Sequence, residues 1–187
     1  MQDLQLIDLA TQFPDLEIDL KYATTDNITG QPIYRDAQCL LHKDAAAGLA
    51  ISIRVAALAG LRLRIYDAYR PRAAQACLWA ACPDPQYVAP PASGSNHSRG
   101  TAIDLTLVDT QGQVLDMGAG FDEMHDRAHC FHPSVPAAAQ RNRLLLNGIM
   151  LAGGFTGMAS EWWHFELPDS HAYPLLEEQF DCFPPAV

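Results

Sequence analysis

The sequence has few positive charges for its length and no long apolar run. Lys and Arg number 12 against 22 Asp and Glu, which gives a formal charge of -10. A surface of that sign repels a phosphate backbone, so nucleic acid is not an expected partner. No stretch of about 18 consecutive apolar residues occurs, so no transmembrane helix is expected. The first ten residues lack a basic start followed by an apolar block, so they do not resemble a signal peptide.

Closely spaced cysteine pairs are also missing. The five cysteines are odd in number, widely spaced and include no C-x-x-C pair, which argues against a zinc ribbon or a thioredoxin-like redox pair. Free thiols in a reducing compartment are expected instead, and the cytoplasm is the expected location. With 187 residues, 49% of them apolar, the chain is long enough for a sizeable core. Residues 1–187 are therefore predicted to form a single domain.

Strand and helix patterns occur in blocks along the chain. Alternating apolar residues predict four strands, at 16–22, 61–66, 101–107 and 162–167. Three helices are predicted, over 44–59, from Pro71 to about Ala81, and from Ser134–Pro136 to Gly153. Asp44 is expected to cap the first helix, and the proline-rich stretch 81–96 is expected to be a long surface loop. This order favours an α+β fold, a mainly antiparallel sheet flanked by helices, over a doubly wound fold.

The segment GSNHSRGTAIDLTL, residues 94–107, places a carboxylate inside an apolar strand. Because side chains alternate along a strand, Ile103 and Leu105 share one face while Asp104 points to the other. Gly100 and the loop before it allow the chain to turn. His97 can therefore reach the carboxylate of Asp104.

The segment SEWWHFEL supplies matching parts. His164 is expected on one face of the last strand, while Trp163 faces the core. Two imidazoles and one carboxylate from separate elements, with an open fourth position, fit a catalytic zinc site, and Glu161 would be its general base. Its strand parity differs from that of His164, so Glu161 is predicted to lie in the turn before the strand. On spacing alone, His164 could equally be a hydrogen-bonded core residue and Asp104 a network carboxylate.

A competing metal site stands at HDRAH, residues 125–129. His125 and His129 are at i and i+4, which nearly reproduces the H-E-x-x-H motif of zincins if a helix forms there. Asp stands where that motif has Glu, and Pro133 interrupts the segment. The stretch is therefore interpreted as a polar lid or loop beside the active site.

Together these motifs resemble the zinc D-alanyl-D-alanine dipeptidases, the VanX-type peptidases of vancomycin resistance and cell-wall dipeptide recycling. The pattern S-x-H-x-x-G-x-A-x-D followed by E-x-x-H is theirs. The segments DLKYATTDNITGQPIY, YDAYRP and MGAGFDEM extend the resemblance in order along most of the chain. The resemblance implies the DD-peptidase, or hedgehog-like, zinc peptidase fold and one Zn²⁺ per chain.

The resemblance also implies roles for individual residues. The zinc ligands would be His97, Asp104 and His164. Glu161 would be the catalytic base, and Arg70 would stabilise the oxyanion. Substrate-binding roles fall to Ser95, Asp122 and Tyr22. The implied reaction is hydrolysis of D-Ala-D-Ala to two D-alanines by a zinc-activated water.

Two alternative functions stay open. The chain could be a peptidoglycan D,D-carboxypeptidase or endopeptidase of the same zinc fold, with a more open cleft. It could also be a non-catalytic binding module that keeps the metal for structure, although a structural site has no use for a base such as Glu161. The expected partner is a small dipeptide, with a homodimer left open; neither nucleic acid nor a membrane is expected.

Overall fold

The alternating apolar segments pair into a central sheet. The computed structural model describes residues 6–184 and within that range contains seven strands. They are β1 (Leu6–Asp8), β2 (Glu17–Ile18), β3 (Leu40–His42), β4 (Arg62–Asp67), β5 (Ala102–Val108), β6 (Thr156–Met158) and β7 (Glu161–Glu166). The main sheet has the order β2-β4-β5-β7-β6, with β2 parallel to β4 and the other neighbours antiparallel, while β1 and β3 form a separate antiparallel pair. The prediction of a mainly antiparallel sheet is confirmed.

Three long helices lie within a few residues of their predicted positions. The helices are α1 (Leu9–Gln12), α2 (Lys43–Leu58), α3 (Arg72–Ala81) and α4 (Ala137–Ala152). The cap predicted for α2 is wrong: His42 is the capping residue, and its ring accepts a hydrogen bond from the backbone N–H of Asp44 at 3.2 Å. Over residues 6–184, none of the helices is both long and apolar enough to cross a membrane. The expectation about a signal peptide falls partly on residues 1–5, which lie outside the described range.

The first predicted strand is shorter than its pattern suggests. Of residues 16–22, only Glu17–Ile18 pair with β4, and the chain then turns through a short 3-10 helix at Lys21–Ala23. This turn directs Tyr22 inward, where its side chain is 2% exposed. A contact with a distant part of the chain therefore overrides the local alternation at this position.

The two faces of β5 have different roles. Ile103 and Leu105 belong to the apolar core that α2 and α4 cover, and Asp104 on the opposite face lines a cavity. The two helices approach each other at Gly48 and Gly153, where a Cβ added to Gly48 would lie 2.4 Å from the carbonyl oxygen of Gly153. The helix layer thus packs closely on one side of the sheet and leaves the other side free for a cleft.

Candidate active site

Three side chains from separate elements converge near the start of β5. His97 lies in the 3-10 turn that precedes the strand, Asp104 lies in the strand, and His164 of β7 pairs directly with Asp104. Nε2 of His97 lies 3.2 Å from Nδ1 of His164 and 3.4 Å from Oδ1 of Asp104. Nδ1 of His164 and Oδ1 of Asp104 are 3.0 Å apart. The structure therefore brings together the three side chains that the sequence suggests as metal ligands.

The hydrogen bonds around the two imidazoles leave their inner nitrogens as acceptors. Nδ1 of His97 lies 2.7 Å from the carbonyl oxygen of Ala68, and Nε2 of His164 lies 3.0 Å from Oε2 of Glu166, so both outer nitrogens must donate. With both rings neutral, two lone pairs and a carboxylate oxygen then face one another, which is unfavourable unless a metal ion or a proton lies between them. Bonds of about 2.0–2.1 Å to a tetrahedral zinc separate ligand atoms by about 3.3 Å, so this donor set fits zinc. Among residues 6–184, it is the one group of three or more such side chains with converging ligand atoms.

Glu161 reaches the same cleft from the start of β7, with its Oε2 3.9 Å from Nδ1 of His164. The prediction that Glu161 precedes the strand is wrong, because it is the first residue of β7 and pairs with Met158. The register shifts between Gly157 and Met158 of β6. Gly157 pairs with Phe165, but the next residue, Met158, pairs with Glu161, so the pairing skips residues 162–164 of β7. This irregularity allows a residue of opposite parity to face the same cleft as His164.

Arg70 lies just before α3 and is held by several partners. Its Nη1 donates to Oε1 of Gln75 at 2.8 Å, and its Nη2 donates to Oδ2 of Asp104 at 3.3 Å. The guanidinium carbon also lies 5.0 Å from the centre of the Tyr22 ring. Arg70 thus contacts the carboxylate of the ligand group and borders the cleft.

Asp122 and Tyr22 form a second polar group in the cleft. The Tyr22 hydroxyl donates to Oδ1 of Asp122 at 3.0 Å, and the backbone N–H of Ile28 donates to Oδ2 at 3.1 Å. The φ of Asp122 is 59°, in the left-handed region that residues other than glycine rarely adopt, so its surroundings hold it under strain. Burial raises the pKa of this carboxyl to about 7. A positively charged group on a bound substrate would therefore stabilise the ionised form of Asp122.

The side chains discussed above line one cavity of about 220 Å³. This is smaller than the roughly 300–1,000 Å³ typical of pockets for drug-sized ligands, which indicates a small ligand. Ser95 also lines it, and its Oγ accepts the backbone N–H of His97 at 3.2 Å. Trp163 was expected to face only the core but borders this cavity too, at the irregular part of β7.

Burial within the cavity wall raises the pKa of Glu161 to about 8.

The histidines of HDRAH do not share a partner. Nε2 of His125 lies 3.1 Å from Oε2 of Glu123, whereas Nε2 of His129 lies 3.1 Å from the hydroxyl of Tyr87. The residues between them form a 3-10 turn, Asp126–Ala128, so the two rings do not lie on one helical face. The segment lies beside the cleft, as a lid or loop would.

Four groups that support the site were not predicted from the sequence. Glu166 and the carbonyl of Ala68 orient the two imidazoles, and Asp67 and Gln75 hold Arg70. Glu166 could have been predicted, because it follows His164 by two residues on one strand and therefore shares its face. A backbone carbonyl and a glutamine on the following helix leave no comparable pattern.

Hydrolytic metalloenzymes leave one coordination position open beside a general base. In the cleft, the Glu161 carboxylate lies 3.9 Å from one of three convergent ligand atoms, Nδ1 of His164. The fold and the site thus define a zinc metallopeptidase. The chain belongs to the D-ala-D-ala dipeptidases of the Peptidase_M15 family, whose model matches residues 2–186.

Relatives of known name agree with this assignment. The chain is 70% identical to the D-alanyl-D-alanine dipeptidase of Escherichia coli, over 96% of this chain and 93% of that protein. It is 38% identical to the D-alanyl-D-alanine dipeptidase of Enterococcus faecalis, over 83% of this chain and 87% of that protein. A solved vancomycin resistance D,D-pentapeptidase, VanY in complex with Zn(II), covers 74% of this chain and 79% of its own length with a TM-score of 0.45 and 14% identity, too low to support an argument.

Proposed function

We propose that the protein hydrolyses D-alanyl-D-alanine to two D-alanines in a zinc-dependent reaction. The observation that carries the proposal is the group of three acceptor atoms, 3.0–3.4 Å apart, beside the carboxylate of Glu161. The 70% identity to a relative that bears the name of this activity supports the choice of substrate. The small volume of the cavity supports a dipeptide over a longer peptide.

The metal would be held by Nε2 of His97, Oδ1 of Asp104 and Nδ1 of His164. When bound there, zinc polarises the scissile carbonyl and makes a water acidic enough to attack near neutral pH. The carbonyl of Ala68 and the carboxylate of Glu166 hold the two rings in the orientation and tautomer that this binding requires.

Glu161 is proposed as the general base. Its Oε2 takes a proton from the attacking water and then passes that proton to the nitrogen of the leaving amine, so the carboxylate is regenerated in each cycle. Burial, at 5% exposure, keeps bulk water from competing for this proton. The distance of 3.9 Å between its Oε2 and Nδ1 of His164 supports a base beside the bound metal.

Arg70 is proposed to stabilise the negative charge that develops on the carbonyl oxygen. A guanidinium in a partly dry cleft stabilises such charge more strongly than it would in water. The anchoring by Gln75 and Asp104 fixes its position before the substrate arrives, so little reorganisation is needed during the reaction.

Asp122, Tyr22 and Ser95 are proposed to hold the substrate. The carboxylate of Asp122 would pair with the free ammonium of the dipeptide, which favours a dipeptide because the ammonium of a longer peptide lies further from the scissile bond. The Ser95 oxygen accepts the His97 N–H, and its hydroxyl hydrogen would donate to the substrate. The single domain over residues 1–187, the cytoplasmic location and a homodimer stay predictions.

The test compares three substrates on one zinc-loaded sample: D-Ala-D-Ala, L-Ala-L-Ala and a stem pentapeptide, with free alanine as the readout. We expect release from D-Ala-D-Ala alone. Preference for the pentapeptide would support the carboxypeptidase alternative, and no release from any of them would contradict the proposal. In the same assay Glu161→Gln should keep its zinc and lose turnover by about 100-fold or more, whereas His164→Ala should lose both.

A further inference from the structure

One wall of the cleft is a loop, residues 83–96, here called the wall loop. Tyr87, Val88 and Ala89 of this loop line the cavity that holds Glu161 and the ligand group. The wall loop contains no helix or strand within its range. Its position over the cleft must therefore depend on contacts with other parts of the chain.

The side chain of His129 contacts two neighbouring residues of the wall loop. Its Nε2 lies 3.0 Å from Nε2 of Gln86 and 3.1 Å from the hydroxyl of Tyr87. Because an amide NH₂ group can only donate, Nε2 of His129 is the acceptor, and the Tyr87 hydroxyl shares the single lone pair of this nitrogen with Gln86. The Tyr87 ring also lies 6.1 Å from the His129 ring. His129 therefore bridges the 125–132 segment to the rim of the cleft without lining the cavity itself.

The His129 side of this bridge is firmly anchored in the rest of the fold. Arg143 of α4 is fully buried and donates to the carbonyl oxygens of Met117, Arg127 and His129 at 2.6–2.7 Å. The backbone of His129 is thus fixed to a long helix. The bridge connects a firmly held segment to one that has fewer supports.

Near Tyr87, two further hydrogen bonds join the wall loop to other elements. The Ser160 hydroxyl donates to the carbonyl oxygen of Gln86 at 3.1 Å, and Nε2 of Gln75 donates to that of Ala89 at 2.8 Å. Both bonds hold the backbone of the loop. The contact with His129 is the one of these three that holds the side chain of Tyr87, which forms part of the cavity wall.

We propose that His129 is a specificity-determining residue, which acts by holding Tyr87 across the rim of the cleft and so limits the length of the peptide that enters. The proposal rests on the dipeptidase function proposed above and adds the residue that closes the cleft. His129 touches neither substrate nor metal in this arrangement; it is a positioning residue that acts through Tyr87. It also gives a role to the HDRAH segment, which the metal site leaves unused.

The test uses three variants. His129→Ala removes the bridge. His129→Gln restores an acceptor, since its amide oxygen can receive both donors. His132→Ala is the matched control, because His132 lies on the same segment and its ring hydrogen-bonds to the nearby Ser134.

Two measurements are made on each zinc-loaded variant. The first is the ratio of kcat/KM for D-Ala-D-Ala to that for tri-D-alanine. The second, independent of activity, is amide hydrogen exchange at Tyr87 and Val88, whose N–H groups bond to the carbonyl of Asp84 at 3.1 and 2.9 Å. In His129→Ala we expect the ratio to fall by about tenfold, the size expected for one or two lost hydrogen bonds, and both amides to exchange faster. His129→Gln and His132→Ala should resemble the wild type in both measurements.

The outcomes separate this proposal from the dipeptidase function. Unchanged exchange in His129→Ala shows that the bridge does not hold the wall loop, and faster exchange with an unchanged ratio shows that it does not set selectivity; either result overturns the proposal. A His132→Ala variant that behaves like His129→Ala would also overturn it. A wild type that does not cleave D-Ala-D-Ala contradicts the proposed function, whatever the variants do.

Discussion

Asp67 and Arg70 form a buried ion pair, in which Nε of the guanidinium lies 2.8 Å from Oδ2 of the carboxylate. Asp67 is fully buried and also accepts the hydroxyl of Tyr34 at 2.7 Å. An unpaired charge in such a position would be strongly unfavourable, so each partner requires the other. The pair fixes the guanidinium at its Nε, and both terminal nitrogens then bond to further partners at the cleft.

We expect Arg70→Lys to lose about 100-fold in kcat for D-Ala-D-Ala. An ammonium keeps the charge that Asp67 needs, but it cannot contact three fixed partners in the plane of a guanidinium. Steady-state kinetics with zinc content measured on the same sample would check this. Retained zinc and an unchanged melting temperature would assign the loss to the transition state, and wild-type kcat would contradict the role of Arg70.

We expect the stability of the metal-free protein to depend on pH through Asp122. Burial raises the pKa of this carboxyl from 3.8 to about 7, so the folded state holds the proton more tightly than the unfolded chain. The resulting stabilisation is complete below the unfolded pKa and is lost as the pH rises through the folded pKa. Asp122→Asn has no such proton. As the pH rises from about 4 to about 8, its free energy of unfolding should therefore increase relative to that of the wild type.

Urea unfolding of both proteins at several pH values, with a chelator present, measures this difference. The other charged groups that face Asp122, including Arg70 and Asp104, are the same in both proteins. Parallel pH profiles would contradict the prediction. On activity the change should act in the opposite direction, with a higher KM for the dipeptide, because the neutral amide no longer pairs with an ammonium.

Arg143 should contribute strongly to stability although no carboxylate of residues 6–184 forms an ion pair with it. Replacing it with Met removes the guanidinium donors of three carbonyl oxygens, of which that of His129 keeps the N–H of His132. We expect this loss to cost about 2–4 kcal/mol of unfolding free energy. Arg141→Met on the same helix is the control, because Arg141 is exposed. Denaturant titration compares the two, and equal effects would show that the buried hydrogen bonds contribute little.

Close packing of α2 against α4 should make Gly48 intolerant of a side chain. A Cβ at this position would lie 2.4 Å from the backbone oxygen of Gly153, so we expect Gly48→Ala to destabilise by about 1–3 kcal/mol. Gly148 of α4 has no atom within 4 Å of an added Cβ. Gly148→Ala should therefore stabilise by about 0.5–1 kcal/mol through helix propensity. Thermal unfolding of both variants checks the opposite signs.

Local patterns predicted most of the elements and the residues of the candidate ligand group. The period of β5 placed Asp104 opposite the core, and the Ala- and Leu-rich stretch of α2 predicted a helix, because both depend on burial of one face. The position of Glu161 could not be predicted in this way, since it follows from the register between β6 and β7. The turn at Tyr22 likewise depends on Asp122, a hundred residues away.

Because of the register shift between β6 and β7, the number of residues between Glu161 and His164 matters more than which residues they are. A substitution in Trp162 or Trp163 changes packing but leaves the spacing of carboxylate and imidazole intact. If the register shift is retained, the insertion or deletion of a single residue there would turn one of the two side chains out of the cleft. The base and the metal ligand would then no longer act at one place, although the sequence would still contain both residues.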